Sequence, residues 1–164
     1  MSKQAELILA MTEHERQVPG RVGHFLKVHG HAKAIGEAEG LSEKALLTLE
    51  LAALVHDIGI KPSLEKYGNS GGKNQEREGG PLARALLEKL GFSEEIVSRV
   101  VFLVEHHHSY EGVDGPDYQI LLEADFLVNM LEEGMSQSAI RSAYGQVFKT
   151  KTGKKFCQLM YLDE

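Results

Sequence analysis

Apolar side chains recur along this chain at intervals of three and four residues, the spacing of helices that each bury one face. One such run steps by 4, 4, 3 and 4 residues, through Leu41, Ala45, Leu49, Ala52 and His56. The β-prone stretch VVFLV at 100–104 lies inside a longer helical pattern, and no segment alternates convincingly like a half-buried strand. The pattern therefore predicts an all-α fold.

The predicted elements form a compact bundle of about seven helices. Ser42 and Ser93 are suited to N-caps, because acidic residues follow them, and Gly91 and Gly134 are suited to helix ends. The predicted helices cover 2–14, 21–39, 42–59, 75 or 81 to 90, 93–107, 117–133 and 136–148, with a last short one at 152–162. The glycine-bearing segments 61–74 and 109–117 are predicted loops, the first with room for one helical turn around Leu64. Loops of this kind often bind ligands.

Composition narrows the class of protein. The chain has 164 residues, which predicts one domain over 1–164. Its net charge of −6 disfavours coating of nucleic acid or of anionic membranes, although a local cation would still allow a small anionic ligand. No apolar run approaches the roughly 18 residues of a membrane span. The single cysteine, Cys157, cannot form an internal disulfide and favours a reduced, cytoplasmic setting.

The segment LAALVHDIG at 51–59 carries the strongest chemical signal. An imidazole from His56 and a carboxylate from Asp57 can bind one divalent cation at about 2.0–2.2 Å. Consecutive helical residues point about 100° apart, so a shared ion must lie between their two faces, which a helix end makes easier. The alternative is a histidine that interacts with the helix dipole beside an exposed aspartate.

Two further helices carry residues of the same kind. His24 begins the stretch HFLKV, and Asp125 lies in the apolar run LLEADFLVN. A carboxylate in such a run is costly unless it is paired or bound to a cation, and a buried structural aspartate is the alternative. Helix bundles build metal sites from inward-facing residues on several helices.

Four stretches of the chain belong together: RVGHFLKV, LELAALVHDIG, GGPLARALLEKLGFSEEIVSRVVFLVEHHH and YQILLEADFLVN. In this order they resemble the HD-domain superfamily of metal-dependent phosphohydrolases, in its small stand-alone bacterial form. The resemblance covers a motif-bearing core of about 21–131, followed by C-terminal helices over 136–162. It implies an HD-domain-like helical bundle with one or two divalent metal ions, drawn from Mn, Fe, Ni, Co, Mg and Zn. It also implies His24, His56, Asp57 and Asp125 as the metal ligands.

The activity implied by the resemblance is hydrolysis of a small phosphate ester, nucleotides included, by a metal-activated water that Asp57 orients or deprotonates. The superfamily also contains oxygenases and members without known activity. Two alternatives therefore stay open: a non-catalytic helical module that binds a metal or ligand, and a di-iron oxygenase-like protein.

A second metal would need more ligands. Two-metal members place a histidine before the helix that here begins GGPLARALL, whereas this chain has Glu76 and Glu78 nearby. Either glutamate is a candidate ligand, or both are ordinary acidic residues of a first helical turn. Family spacing makes His106 or His107 a second-metal or phosphate-facing residue, and the apolar register does not choose between them. We expect one tightly held metal, and a second only if Glu76 or Glu78 turns inward.

Other polar residues are weaker candidates. Lys61 follows the His-Asp pair one residue later than in the HDIGK version of the motif, and it is either a phosphate-binding residue or a solvated lysine. His29 is predicted to be structural or exposed, and His108 to be exposed. His31 shares the face of His24 but lies about 10 Å along the helix axis, so the two cannot readily bind the same ion. The apolar segment FCQLMYL near the C-terminus is predicted to pack on the bundle or across a dimer, which leaves the oligomeric state open.

Overall fold

The computed structural model describes residues 1–163, which form nine α-helices and no strand. The helices are α1 (Lys3–His14), α2 (Pro19–Ala38), α3 (Glu43–Val55), α4 (Ile60–Tyr67), α5 (Gly72–Lys89), α6 (Glu94–His106), α7 (Pro116–Glu132), α8 (Gln137–Gln146) and α9 (Lys151–Tyr161). The predicted all-α class is confirmed. The count exceeds seven because α4 lies within the predicted loop 61–74 and because the short C-terminal segment is a full helix.

Hydroxyl side chains define most helix starts. Five of them accept a hydrogen bond from the amide three residues later, those of Ser2, Ser42, Ser93, Ser136 and Thr150. Such caps satisfy amide groups that have no partner within the helix. This is why the sequence predicts these helix starts closely.

The chain around the His-Asp pair differs from the predicted helix over 42–59. Helix α3 ends at Val55, and residues 56–59 form a turn that leads directly into α4. Gly59 packs against the backbone of α5, where a Cβ would stand 2.2 Å from the carbonyl oxygen of Gln75. Helix α5 begins at Gly72 rather than at Pro81, which lies within it.

Helix α3 forms the centre of the bundle. It is buried without interruption from Thr48 to Val55 and packs against α2, α6 and α7. The hydrophobic core draws side chains from every helix of residues 1–163 except α4. Because His56 follows directly after this buried stretch, the pair lies at the edge of the core. None of the helices described is both long and apolar enough to cross a bilayer.

The C-terminal helix α9 is only partly packed on the bundle. Within FCQLMYL, Cys157 is fully buried, with its Sγ 4.0 Å from Sδ of Met130 on α7. Leu159 and Met160 are exposed. The segment thus packs on the bundle through one face and presents the other outward.

Candidate metal centre

Four side chains from three parts of the chain converge on one point. His24 on α2 places its Nε2 3.1 Å from Oδ2 of Asp57 and 3.1 Å from Oδ1 of Asp125. The Nε2 of His56 lies 3.3 Å from each of the same two oxygens and 3.2 Å from Nε2 of His24. Ligands about 2.0–2.2 Å from one ion stand about 2.8–3.6 Å from each other in octahedral or tetrahedral arrangements. The four atoms therefore have the spacing of a set that shares one cation.

The turn after α3 lets consecutive residues face the same point. His56 is buried, and its Nδ1 donates a hydrogen bond to the carbonyl oxygen of Ala53 at 2.7 Å. A neutral ring with Nδ1 protonated carries its free lone pair on Nε2, which faces Asp57 and Asp125. Asp57 follows in the turn of residues 56–59, and its Oδ2 lies 3.3 Å from Nε2 of His56, so both side chains face the same point.

Asp125 provides the test of whether a cation fits. Its Oδ1 is buried and has no hydrogen-bond partner, although two histidine nitrogens lie within 3.3 Å. A buried carboxylate oxygen without a hydrogen bond is costly unless a cation compensates its charge. Two imidazole nitrogens and two carboxylate oxygens are donors that divalent transition metals accept. The residues present therefore fit a metal ion.

Electrostatics couple the four groups. Burial lowers the pKa of His24, but the adjacent carboxylates of Asp125 and Asp57 outweigh burial and raise this pKa to about 10. The pKa of His56 is also raised against the effect of burial, by the charges of Asp57 and Asp125. The pKa of each aspartate is lowered against the effect of burial, chiefly by the charge of His56. Protons and a metal ion thus compete for the same histidine nitrogens.

Three of the four side chains, those of His24, Asp57 and Asp125, line an open cavity of about 500 Å³, and the buried His56 is not part of its lining. Arg21 is the cationic residue of its lining, and Asp57, Asp125, Glu132 and Glu133 contribute carboxylates. A smaller cavity of about 140 Å³ adjoins it, since both are lined by His108, Asp125, Asn129 and Glu133. An anion would enter this acidic space only beside a positive centre.

The structure separates the two histidines that the sequence left open. His107 is buried, its Nδ1 donates to the carbonyl oxygen of Val104, and its Nε2 lies 3.5 Å from Oδ1 of Asp57. His106 instead stacks on Phe102, with 4.1 Å between ring centroids. Only His107 of the two reaches the four-residue cluster. Asp57, His107 and His108 form a second group whose ligand atoms lie within 4.8 Å of one another.

Neither candidate glutamate lines the main cavity. Glu78 accepts hydrogen bonds from Lys66 and from the hydroxyl of Tyr67. Glu76 lies 3.4 Å from the backbone amide of His108. Their neighbour Gln75 is buried and lines the cavity instead, with its Oε1 3.0 Å from Nε2 of His108. The condition set for a tight second metal, a glutamate turned inward, is therefore not met.

Lys61, His29 and His31 lie outside the cavity. The Nζ of Lys61 donates to the carbonyl oxygen of His14 at 3.1 Å, and Lys61 does not line the cavity. His29 bonds to the buried Glu50, and His31 packs edge-on against Phe156. His108 is exposed in part, as expected, but lines both cavities.

Sequence reasoning missed Glu132. Its Oε1 accepts a hydrogen bond from Nδ1 of His24 at 2.8 Å. A signal was present, because Glu132 follows Asp125 by seven residues and so lies two turns further along the same face of α7. Its position at the exposed end of the helix concealed it.

Comparison with known proteins gives two matches. A family model described as HD domain matches residues 21–138. Among solved structures, the crystal structure of a predicted HD superfamily hydrolase from an uncultured Thermotogales bacterium superposes with a TM-score of 0.70. The two chains are 23% identical, and the match covers 96% of this chain and 84% of the other, which shows a shared fold. No curated protein matches this chain.

Proposed function

The chain belongs to the HD domain family, and we propose that it is a metal-dependent phosphohydrolase that hydrolyses a small phosphate ester, nucleotides included. One observation carries the proposal. The Nε2 atoms of His24 and His56 each lie 3.1–3.3 Å from one carboxylate oxygen of Asp57 and one of Asp125, and His24, Asp57 and Asp125 stand at the wall of a cavity of about 500 Å³. A small ester and a divalent cation would meet at that wall.

His24, His56, Asp57 and Asp125 are the residues that would hold the ion. Their nitrogen donors favour Mn, Fe, Co, Ni or Zn over Mg. A divalent ion bound there polarises a phosphoryl oxygen and lowers the pKa of a coordinated water. The two aspartates balance the charge of the ion. The remaining carboxylates of the cavity would therefore repel an anionic ester anywhere except directly beside the ion.

Arg21 is suited to bind a phosphate oxygen. Its guanidinium lines the cavity, and its Nε lies 3.0 Å from Oε2 of Glu15. Its Nη1 is buried and has no hydrogen-bond partner among the residues described. Guanidinium groups bind phosphate oxygens through charge-assisted hydrogen bonds. Lys61 could bind phosphate, as predicted, only if its Nζ broke its hydrogen bond to the carbonyl oxygen of His14.

Asp57 is suited to orient the attacking water. Its Oδ2 faces His24 and His56, whereas its Oδ1 faces Nε2 of His107 at 3.5 Å. Oδ1 of Asp57 can therefore accept a hydrogen bond from a water in the cavity. A carboxylate within hydrogen-bond reach of the nucleophile is the usual requirement for a general base.

The test is phosphate release by the full chain, stripped of metal and reloaded separately with Mn²⁺, Fe²⁺, Co²⁺, Ni²⁺, Zn²⁺ or Mg²⁺. We expect turnover of some phosphate monoesters or diesters, and its loss in Asp57→Ala with the helical circular dichroism spectrum retained. Asp163→Ala is the matched control, because Asp163 is exposed and lies outside the cavity. A native protein that binds metal without hydrolysing any ester would favour the non-catalytic module, and a mixed-valent iron pair would favour the oxygenase.

A further inference from the structure

We infer that Glu132 is a positioning residue that orients His24 for metal binding from the far end of α7. The inference rests on the metal site of the proposed function but not on the reaction. The contact that carries it is the 2.8 Å hydrogen bond from Nδ1 of His24 to Oε1 of Glu132. A carboxylate cannot donate, so Nδ1 bears the proton and the lone pair of a neutral ring is on Nε2.

The three histidines of this region differ in how their Nδ1 groups are held. His56 donates to the carbonyl of Ala53 and His107 to the carbonyl of Val104, each within its own helix end. A helical backbone therefore fixes these two rings. Among the three, His24 alone is held by a side chain, which comes from a different helix.

This arrangement gives α7 two contributions to one site. Asp125 presents a carboxylate to the convergence point, and Glu132, two turns later, fixes the ring that stands opposite on α2. A carboxylate on the remote nitrogen of a ligating histidine fixes its orientation and increases its basicity. Removal of such a partner typically weakens metal affinity about 10–100-fold.

Glu133 provides the matched control. It carries the same charge, follows Glu132 directly and lines the same cavity, but it makes no hydrogen bond or ion pair with His24. Neutralisation of either glutamate changes the charge near the site by one unit. Any larger effect at Glu132 therefore reports the contact with His24.

The experiment measures Zn²⁺ affinity by chelator competition for the metal-free full chain. We expect a loss of about 10–100-fold in Glu132→Ala, a smaller loss in Glu132→Gln, which keeps an acceptor oxygen, and the smallest loss in Glu133→Gln. The ¹H–¹⁵N signal of His24 Nδ1–H should be shifted downfield and protected from solvent exchange in the native protein and in Glu133→Gln, and unprotected in Glu132→Ala.

Equal losses in Glu132→Gln and Glu133→Gln, or an unprotected Nδ1–H in the native protein, would overturn the inference. A native chain that binds no Zn²⁺ would overturn it as well. A chain that binds Zn²⁺ with the expected order of affinities but hydrolyses no ester would support the inference and contradict the phosphohydrolase proposal.

Discussion

Gly59 lies so close to Gln75 that a Cβ on the glycine would stand 2.2 Å from the carbonyl oxygen of Gln75. The backbone of Gly59 has φ −78° and ψ −10°, which any residue can adopt, so the constraint is space rather than conformation. The contact presses the turn that carries His56 and Asp57 against α5. Gln75 therefore contacts this turn through its backbone carbonyl and also lines the cavity.

We predict that Gly59→Ala destabilises the protein by about 1–3 kcal/mol, because backbone atoms cannot yield as a side chain can. Gly80→Ala is the control. The three atoms nearest to its Cβ would all belong to the side chain of Glu105, which is exposed and can move aside. Urea unfolding should show Gly80→Ala equal to the native protein or slightly more stable, since alanine favours helix. Equal stability of the two variants would contradict the close approach.

Metal count is the second prediction. We expect one tight equivalent, because the second group of Asp57, His107 and His108 shares Asp57 with the first and because Gln75 already contacts His108. His107→Ala and Glu76→Ala should both keep that equivalent. Elemental analysis after extensive dialysis measures it. Two equivalents in the native protein that fall to one in either variant would show that the second site is also tight.

Glu123 supports a third prediction, on stability. This fully buried carboxylate of α7 accepts hydrogen bonds from the backbone amides of Lys149 and Thr150, the hydroxyl of Thr150 and the amide of Gln119. Glu123→Ala removes the shared acceptor of these partly buried donors and should cost about 1–3 kcal/mol. Glu133→Ala, an exposed change at the C-terminal end of the same helix, should cost far less in urea unfolding. Similar midpoints for both would refute a stabilising role for Glu123.

Cys157 gives a prediction on pH. Burial raises the pKa of its thiol to about 11, whereas the pKa of a cysteine in an unfolded chain is about 8.5. Between pH 8 and 10 the folded thiol therefore stays protonated while the unfolded one becomes a reactive thiolate. Alkylation by iodoacetamide should be slow in buffer at pH 9 and fast in denaturant at the same pH. Because the chain has one cysteine, mass spectrometry reads the result directly. Rapid labelling of the folded chain would show that α9 opens readily.

The sequence predicted the all-α class and the family, and both are confirmed. Periodicity and capping serines carry most of that information. Of helix α4 only one turn, around Leu64, was predicted, because Ile60–Tyr67 leads into a stretch rich in glycine and asparagine. The start of α5 was uncertain because Pro81 is a common helix boundary that this helix passes through.

The candidate site was less accessible to such reasoning. Periodicity placed His56 on the apolar face of its helix, and the resemblance supplied the ligand set of His24, His56, Asp57 and Asp125. Neither could decide between His106 and His107. That choice depends on where α6 ends: His106 is its last residue, and His107 is already at the cap. Glu132 was missed because its partner, 108 positions earlier, is adjacent only in the folded chain.

The convergence point lies beside open space, and the side chains of His24, Asp57 and Asp125 keep 11%, 19% and 17% of their surface exposed. An ion can thus arrive and depart through the cavity without any helix separating. The ion can therefore bind after the chain has folded, and the folded chain takes it from the pool that surrounds it. The occupant of a purified sample would then reflect the culture medium and the buffers at least as much as any preference of the protein.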